Sequence, residues 1–264
     1  MTTATTLDRA GIAALIVRSQ QGETLDDQEL AELDGWGTAH PEEGEQLSCS
    51  VMGRWTDLGE RVGAWKIAWT SRAARDSGGP GYRPFGYILD SRILDSGASV
   101  PLDSIVKCAL EPELCLTMGD RLSGPDVTPE EARAAVRSAR ASFEINTGHL
   151  PTTLPRAISI GNSMTNWGLV LGPEHDLDVP LDSITVTLTR DDEEIGSAPT
   201  SLEIVDDPFV SLARVAAVFH RNGLSLEPGQ SIITGAILAR EPVEKPGRYA
   251  AEFGPLGGVS LTLT

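Results

Sequence analysis

The feature that most constrains the fold is a series of short apolar segments, separated by turn-forming residues, that begins after residue 61. The segments are VGAWKIAWT, FGYILDSRIL, SIVKCALEPELCLTMG, SITVTLTRD, QSIITGAIL and GGVSLTLT. Apolar runs of this length, bounded by turn signals, are typical of β-strands. Only residues 129–143 and 208–222 interrupt them with helical patterns, so the segment order predicts a β-rich α+β fold.

The expected helices carry recognisable end signals. Residues 129–143 begin with Pro129 and two glutamates, and residues 208–222 are followed by Gly223, a residue type that commonly ends helices. Two further helices are expected at residues 7–20 and 25–33, where apolar residues recur near helical spacing.

Gly35 and Gly37 are expected to end the second of these N-terminal helices. We therefore expect an N-terminal helical cap over residues 1–61 and a catalytic body over residues 62–264.

Two carboxylates share one predicted strand. Glu111 and Glu113 are two residues apart, so an extended strand places them on the same face. A hard divalent cation such as Mg²⁺ or Mn²⁺ would relieve their repulsion. Glu144, which follows a predicted helix and precedes a turn, is a third candidate ligand. The spacing alone leaves a second interpretation open, in which all three are solvated acids at strand edges.

Several blocks, taken in order, resemble the fumarylacetoacetate hydrolase superfamily, in the branch of 2-hydroxypentadienoate hydratases and 4-oxalocrotonate decarboxylases. The blocks cover roughly residues 60–264, and they are GAWKIAWTS at 63–71, EPEL at 111–114, SFEI at 142–145, NWGLVLG at 166–172, GLSLEPGQSIITG at 223–235 and FGPLGGVS at 253–260.

The resemblance implies a mixed β-roll or barrel-like fold with an open metal site. It implies that Mg²⁺ or Mn²⁺ is bound by Glu111, Glu113 and Glu144 and chelates a 2-oxo acid, with Lys66 beside the substrate. It also implies homo-oligomers and association with a related enzyme.

The sequence departs from the family pattern at polar positions. The family's Pro-Asp-Phe-Gly block is similar to RPFG at 83–86, so Pro84 replaces an acid, and Gly161 replaces a second acid. His149 occupies the position of a family arginine, and we consider it either an acid–base group or a loop histidine without a role.

Six residues in or near the matched blocks are candidate substrate contacts. The alternative is that the aromatic residues belong to the core or to a lid formed by residues 72–83. The six candidates are Trp69, Ser71, Tyr82, Phe85, Asn162 and Trp167.

The net charge of −17 argues against nucleic-acid or anionic-membrane partners, since no basic run offsets it. The sequence also contains no apolar run long enough to span a bilayer. Three cysteines without a close pair favour a reducing compartment, and we expect a cytoplasmic protein with a small-molecule substrate.

Three functions are consistent with these features. The first is a metal-dependent lyase, a hydratase or decarboxylase of a 2-oxo or 2-hydroxy-dienoic acid. The second keeps the fold but serves secondary metabolism as a cyclase, isomerase or dehydratase on a bulkier intermediate. The third is a non-catalytic partner subunit.

Overall fold

The computed structural model describes residues 7–264. The α-helices are α1 (Arg9–Gln20), α2 (Asp27–Ala39), α3 (Gly44–Asp57), α4 (Pro129–Ala134), α5 (Arg156–Gly161) and α6 (Pro208–Arg221). Short 3₁₀ turns occur at Asp90–Arg92, Leu102–Ser104, Ser163–Thr165 and Gly254–Leu256. No helix among the described residues is long and apolar enough to cross a membrane.

The strands form two mixed sheets. The larger sheet has the order β2-β1-β10-β5-β6-β7-β3, with β11 also paired to β5, and the smaller has the order β4-β13-β12-β8-β9. The strands are β1 (Val62–Ile67), β2 (Phe85–Leu89), β3 (Ile93–Asp95), β4 (Ala98–Val100), β5 (Ala109–Met118), β6 (Val136–Asn146), β7 (Asn166–Leu171), β8 (Thr185–Arg190), β9 (Glu193–Pro199), β10 (Ser231–Ala236), β11 (Glu241–Pro242), β12 (Gly247–Glu252) and β13 (Gly258–Leu263).

The α+β prediction is confirmed, and each predicted apolar segment contains a strand. The barrel-like description is wrong in one respect. Neither sheet closes among the described residues, because β2 and β3 end the larger sheet while β4 and β9 end the smaller.

The predicted helix at 129–143 is also wrong over most of its length. Only Pro129–Ala134 is helical, and residues 136–143 belong to β6, which pairs with β5 on one side and β7 on the other. Pairing on both edges outweighs the local preference for helix. Glu144 therefore lies within a central strand.

The N-terminal helices are more numerous than predicted, and α2 is longer. The expected end of α2 at Gly35 and Gly37 is wrong, because the helix continues to Ala39, and α3 was not predicted. A Cβ at Gly37 would lie 2.8 Å from Ile158 Cγ1, so the glycine permits α2 and α5 to pack closely.

One continuous apolar cluster joins α1, α2 and α3 to the large sheet. Three helices precede Val62, where β1 begins. The division into a cap at 1–61 and a body at 62–264 stays a prediction.

Candidate metal centre

Three glutamates converge on one face of the large sheet. Glu111 and Glu113 project from the same face of β5, and Glu144 lies on β6 directly opposite Glu111. One carboxylate oxygen from each residue lies within 4.8 Å of the others. Because like charges directly opposite one another destabilise a sheet, this arrangement calls for a cation.

An irregularity in the sheet positions Glu113. The pairing of β10 with β5 shifts between Ile233, which pairs with Cys115, and Ala236, which pairs with Glu113. Gly235 adopts φ +117°, and its backbone N–H donates to Glu113 Oε2 at 2.6 Å. The irregular pairing thus directs a backbone donor at a side chain.

Side-chain amides position the other two carboxylates. Asn146 Nδ2 donates to Glu111 Oε2 at 2.8 Å, and Asn166 Nδ2 donates to Glu144 Oε1 at 2.9 Å. Glu144 Oε2 is buried and has no hydrogen-bond partner among the described residues. A buried carboxylate oxygen without a partner is costly, and a bound cation would satisfy it. The donor set therefore fits a hard divalent cation, which prefers oxygen ligands.

The charges around the cluster are only partly balanced. Burial raises the pKa of Glu113 well above its usual range, and the charge of Glu144 adds to this effect. Burial and Glu144 also raise the pKa of Glu111. Lys66 is 6% exposed, and its Nζ pairs with Glu144 Oε1. Arg240 Nε lies 3.5 Å from Glu111 Oε1.

The cluster forms part of the wall of a cavity of about 450 Å³, within the range of small-molecule sites. The lining brings together Lys66, the three glutamates and two of the six candidate substrate contacts, Trp69 and Ser71. The complete lining is Lys66, Ile67, Ala68, Trp69, Thr70, Ser71, Ala74, Glu111, Glu113, Glu144, Ser159, Met164, Ile204, Gly235, Ala236, Ile237, Leu238, Ala239 and Arg240.

The other four candidate contacts lie outside this lining. Tyr82 lines a separate cavity and donates to Glu45 Oε1 at 2.7 Å, while Phe85 is fully buried against neighbouring aromatic rings. Asn162 lines a smaller pocket, and Trp167 stacks on the Arg92 guanidinium. Their substrate contacts stay predictions that this placement does not support.

His149 also lies outside the cavity lining. Its Nε2 is 2.9 Å from Asn162 Oδ1, and its Nδ1 is 3.3 Å from Thr147 Oγ1. Burial lowers the pKa of His149, which keeps the imidazole neutral at pH 7. Its catalytic role stays a prediction without a geometric basis.

Gly235, Arg240 and Met164 are among the lining residues that were not predicted as site residues. Gly235 lies in a predicted strand and Arg240 follows it, but only the pairing of β10 with β5 brings this part of the chain to the glutamates. Met164 lies in a turn, 163–165, in which three consecutive residues have left-handed φ angles of 50°, 48° and 70°. Backbone conformations of this kind cluster at functional sites. The residue types at 163–165 do not predict this conformation from the sequence.

Asp206 connects the loop at 72–83 to the segment after β9. Its carboxylate accepts hydrogen bonds from Arg83 Nη2 at 2.7 Å and Arg214 Nη1 at 3.0 Å, and it lies 3.8 Å from Arg75 Nη1. Ala74 and Ile204, which line the cavity, belong to the two connected segments. The ion-pair group thus supports one cavity wall.

Several known proteins are similar to this chain in sequence and in structure. No family model matches the sequence. The chain is 25% identical to a 4-oxalocrotonate decarboxylase of a Pseudomonas species over 236 residues, 88% of this chain and 91% of the relative. It is 28% identical to a 2-keto-4-pentenoate hydratase of Burkholderia vietnamiensis over 209 residues, 78% and 79% of the two chains. The chain is a divergent relative of these enzymes.

A solved structure shows the same fold. The 4-oxalocrotonate decarboxylase of Pseudomonas putida G7, complexed with magnesium and adipate, superposes with a TM-score of 0.85. The match covers 98% of this chain and 99% of that one, at 18% identity. The chain therefore has the fumarylacetoacetate hydrolase-like fold that its sequence blocks predicted.

Proposed function

We propose that the chain is a metal-dependent lyase of the hydratase or decarboxylase type, acting on a 2-oxo or 2-hydroxy-dienoic acid. The observation that carries the proposal is the convergence of Glu111, Glu113 and Glu144 beside Lys66 in one cavity, with Glu144 Oε2 unpartnered. The relatives are named as hydratases and a decarboxylase, which favours this function over a repurposed cyclase and over a non-catalytic subunit.

Glu111, Glu113 and Glu144 would hold Mg²⁺ or Mn²⁺. When bound, such a cation would supply positive charge that attracts an anionic 2-oxo acid and stabilises the negative charge that develops during the reaction. The hydrogen bonds from Gly235 and Asn166 fix the orientation of two ligands before the cation arrives.

Lys66 is the cationic proton donor nearest the three glutamates among the described residues. Its ammonium lies in the cavity wall and pairs with Glu144 Oε1. We assign it to polarise or protonate the substrate, since the family's acids are replaced by Pro84 and Gly161.

The central test removes the metal. Protein treated with EDTA should lose turnover of 2-hydroxypenta-2,4-dienoate and of 4-oxalocrotonate, and Mg²⁺ or Mn²⁺ should restore it. Full turnover by the stripped protein would contradict a metal-dependent mechanism. Absence of turnover with both substrates after metal is restored would favour the non-catalytic subunit.

The biological setting of the enzyme stays a prediction. Homo-oligomerisation, association with a related enzyme, a cytoplasmic location and a place in secondary metabolism belong to the proposal. Sedimentation of the purified chain, alone and mixed with a candidate partner enzyme, tests the first two.

A further inference from the structure

Two cations line the cavity at the metal centre, and they differ in how they are held. Among the described residues, Lys66 and Arg240 are the cationic side chains of the lining. Lys66 is buried and paired with Glu144, whereas 41% of the Arg240 side chain is exposed. Arg240 is therefore the more accessible of the two cations to an incoming anion.

The contacts of Arg240 orient its guanidinium without neutralising it. Arg240 Nη2 donates to Asn146 Oδ1 at 2.8 Å and to Thr165 Oγ1 at 2.9 Å, and both acceptors are uncharged. Within the described part of the chain, the one carboxylate that it approaches is Glu111, 3.5 Å from Nε. A metal ion on Glu111 would take up the charge of that carboxylate, so the guanidinium would then lack an anion.

One end of the guanidinium remains available. Arg240 Nη1 makes no hydrogen bond to the described residues, in contrast to Nη2. An arginine carries five N–H donors in a planar arrangement, and pairs of them match the two oxygens of a carboxylate. Nη1 thus leaves two donors unused in the wall of the proposed active site.

Asn146 ties the position of Arg240 to that of a metal ligand. Its Oδ1 accepts from Arg240, while its Nδ2 donates to Glu111 Oε2 at 2.8 Å. The other partner, Thr165, belongs to the left-handed turn at 163–165 and has φ +70°. Partners of this kind hold a binding group in a fixed orientation relative to a metal ligand. The strained turn therefore presents a hydroxyl that holds the guanidinium.

We propose that Arg240 binds the carboxylate of the substrate, which leaves Lys66 to act on the 2-oxo oxygen. This inference rests on the proposed function, because it assumes an anionic 2-oxo acid beside a cation held by the three glutamates. It assigns a binding residue and an orientation of the substrate, and the three metal ligands specify neither.

Two ligands and two proteins isolate this contact. Pyruvate and pyruvamide share the 2-oxo group, but pyruvamide has an uncharged amide in place of the carboxylate. In calorimetric titrations at saturating Mg²⁺, Arg240→Gln should weaken the binding of pyruvate by about tenfold or more and that of pyruvamide by less than about twofold. Arg61→Gln, which removes an exposed arginine outside the cavity lining, is the matched control and should change neither affinity.

The outcomes separate this inference from the proposed function. If Arg240→Gln weakens both ligands by the same factor, or weakens neither, Arg240 does not contact the carboxylate and the inference is wrong, while the metal-dependent site stands. If pyruvate does not bind the Mg²⁺-loaded wild type, the proposed function is wrong and the inference falls with it.

A second variant keeps the inference testable if the glutamine variant fails to fold. Arg240→Lys retains the charge but loses the planar pair of donors. It should weaken pyruvate more than pyruvamide, and equal factors for the two ligands would again overturn the inference.

Discussion

Replacing Glu113 with glutamine should have opposite effects on stability with and without metal. Glutamine keeps the shape of the side chain and an oxygen that can accept from the Gly235 N–H, but removes one charge. In the metal-free protein the substitution relieves the repulsion from Glu111 and Glu144. In the Mg²⁺-loaded protein it removes a ligand.

The size of the relief follows from the geometry. Each pair of ligand oxygens lies within 4.8 Å, where two like charges repel by roughly 3 kcal/mol at an effective dielectric constant of about 20. Two such repulsions act on Glu113, and Lys66 offsets part of them. Protonation of the Glu113 carboxyl removes its charge and so limits the destabilisation that these repulsions can cause. We therefore expect Glu113→Gln to stabilise the metal-free protein by about 1–3 kcal/mol.

The pH dependence has a definite sign. The pKa of Glu113 is raised in the folded protein, so protonation favours folding at low pH, and this contribution is lost as pH rises through the folded-state pKa. The advantage of the glutamine variant in EDTA should therefore grow between pH 5 and pH 8. With excess Mg²⁺ the order should reverse, because a ligand that binds only the folded state stabilises the wild type more.

Thermal unfolding in EDTA and in Mg²⁺ provides the assay. For a chain of this size, about 1 kcal/mol corresponds to about 2–4 °C in Tm. Glu244→Gln, at an exposed position, is the matched control and should change neither measurement. A Glu113→Gln variant that is less stable than the wild type in EDTA, and equally stabilised by Mg²⁺, would refute the reasoning.

Three further substitutions separate the roles of other residues. Lys66→Met should lower kcat by about a hundredfold or more. Calorimetry should show that Mg²⁺ binds the variant at least as tightly as the wild type, because Glu144 loses its paired cation. An unchanged kcat would exclude Lys66 from the chemistry. His149→Gln should change kcat/KM by less than about tenfold and should not shift the pH dependence of kcat/KM, since burial keeps the imidazole neutral. A hundredfold loss of kcat/KM would support a catalytic role for His149. Asp206→Asn should cost roughly 3–5 kcal/mol in urea unfolding, because it removes the nearer of the two carboxylates that pair with the buried Arg83. The exposed Asp192→Asn should cause no change, and equal unfolding midpoints for the two variants would contradict this account.

The sequence by itself determined the strand pattern and the carboxylate pair. Alternation along an extended chain is a local property, so Glu111 and Glu113 share a face wherever that strand lies. The position of Glu144 after a predicted helix made it a third candidate ligand, and the resemblance of the ordered blocks to a family then supported Glu144 and indicated Lys66.

Only the tertiary structure decided how these groups meet. Residues 136–143 belong to the predicted helix, and pairing on both edges makes Val136–Asn146 the strand that places Glu144 opposite Glu111. The irregular pairing of β10 brings the Gly235 N–H to Glu113, and the segment beyond it brings Arg240 to Glu111. The contacts of Gly235 and Arg240 join residues more than 100 positions apart. A local sequence pattern carries no information about them, because they depend on sheet order and register.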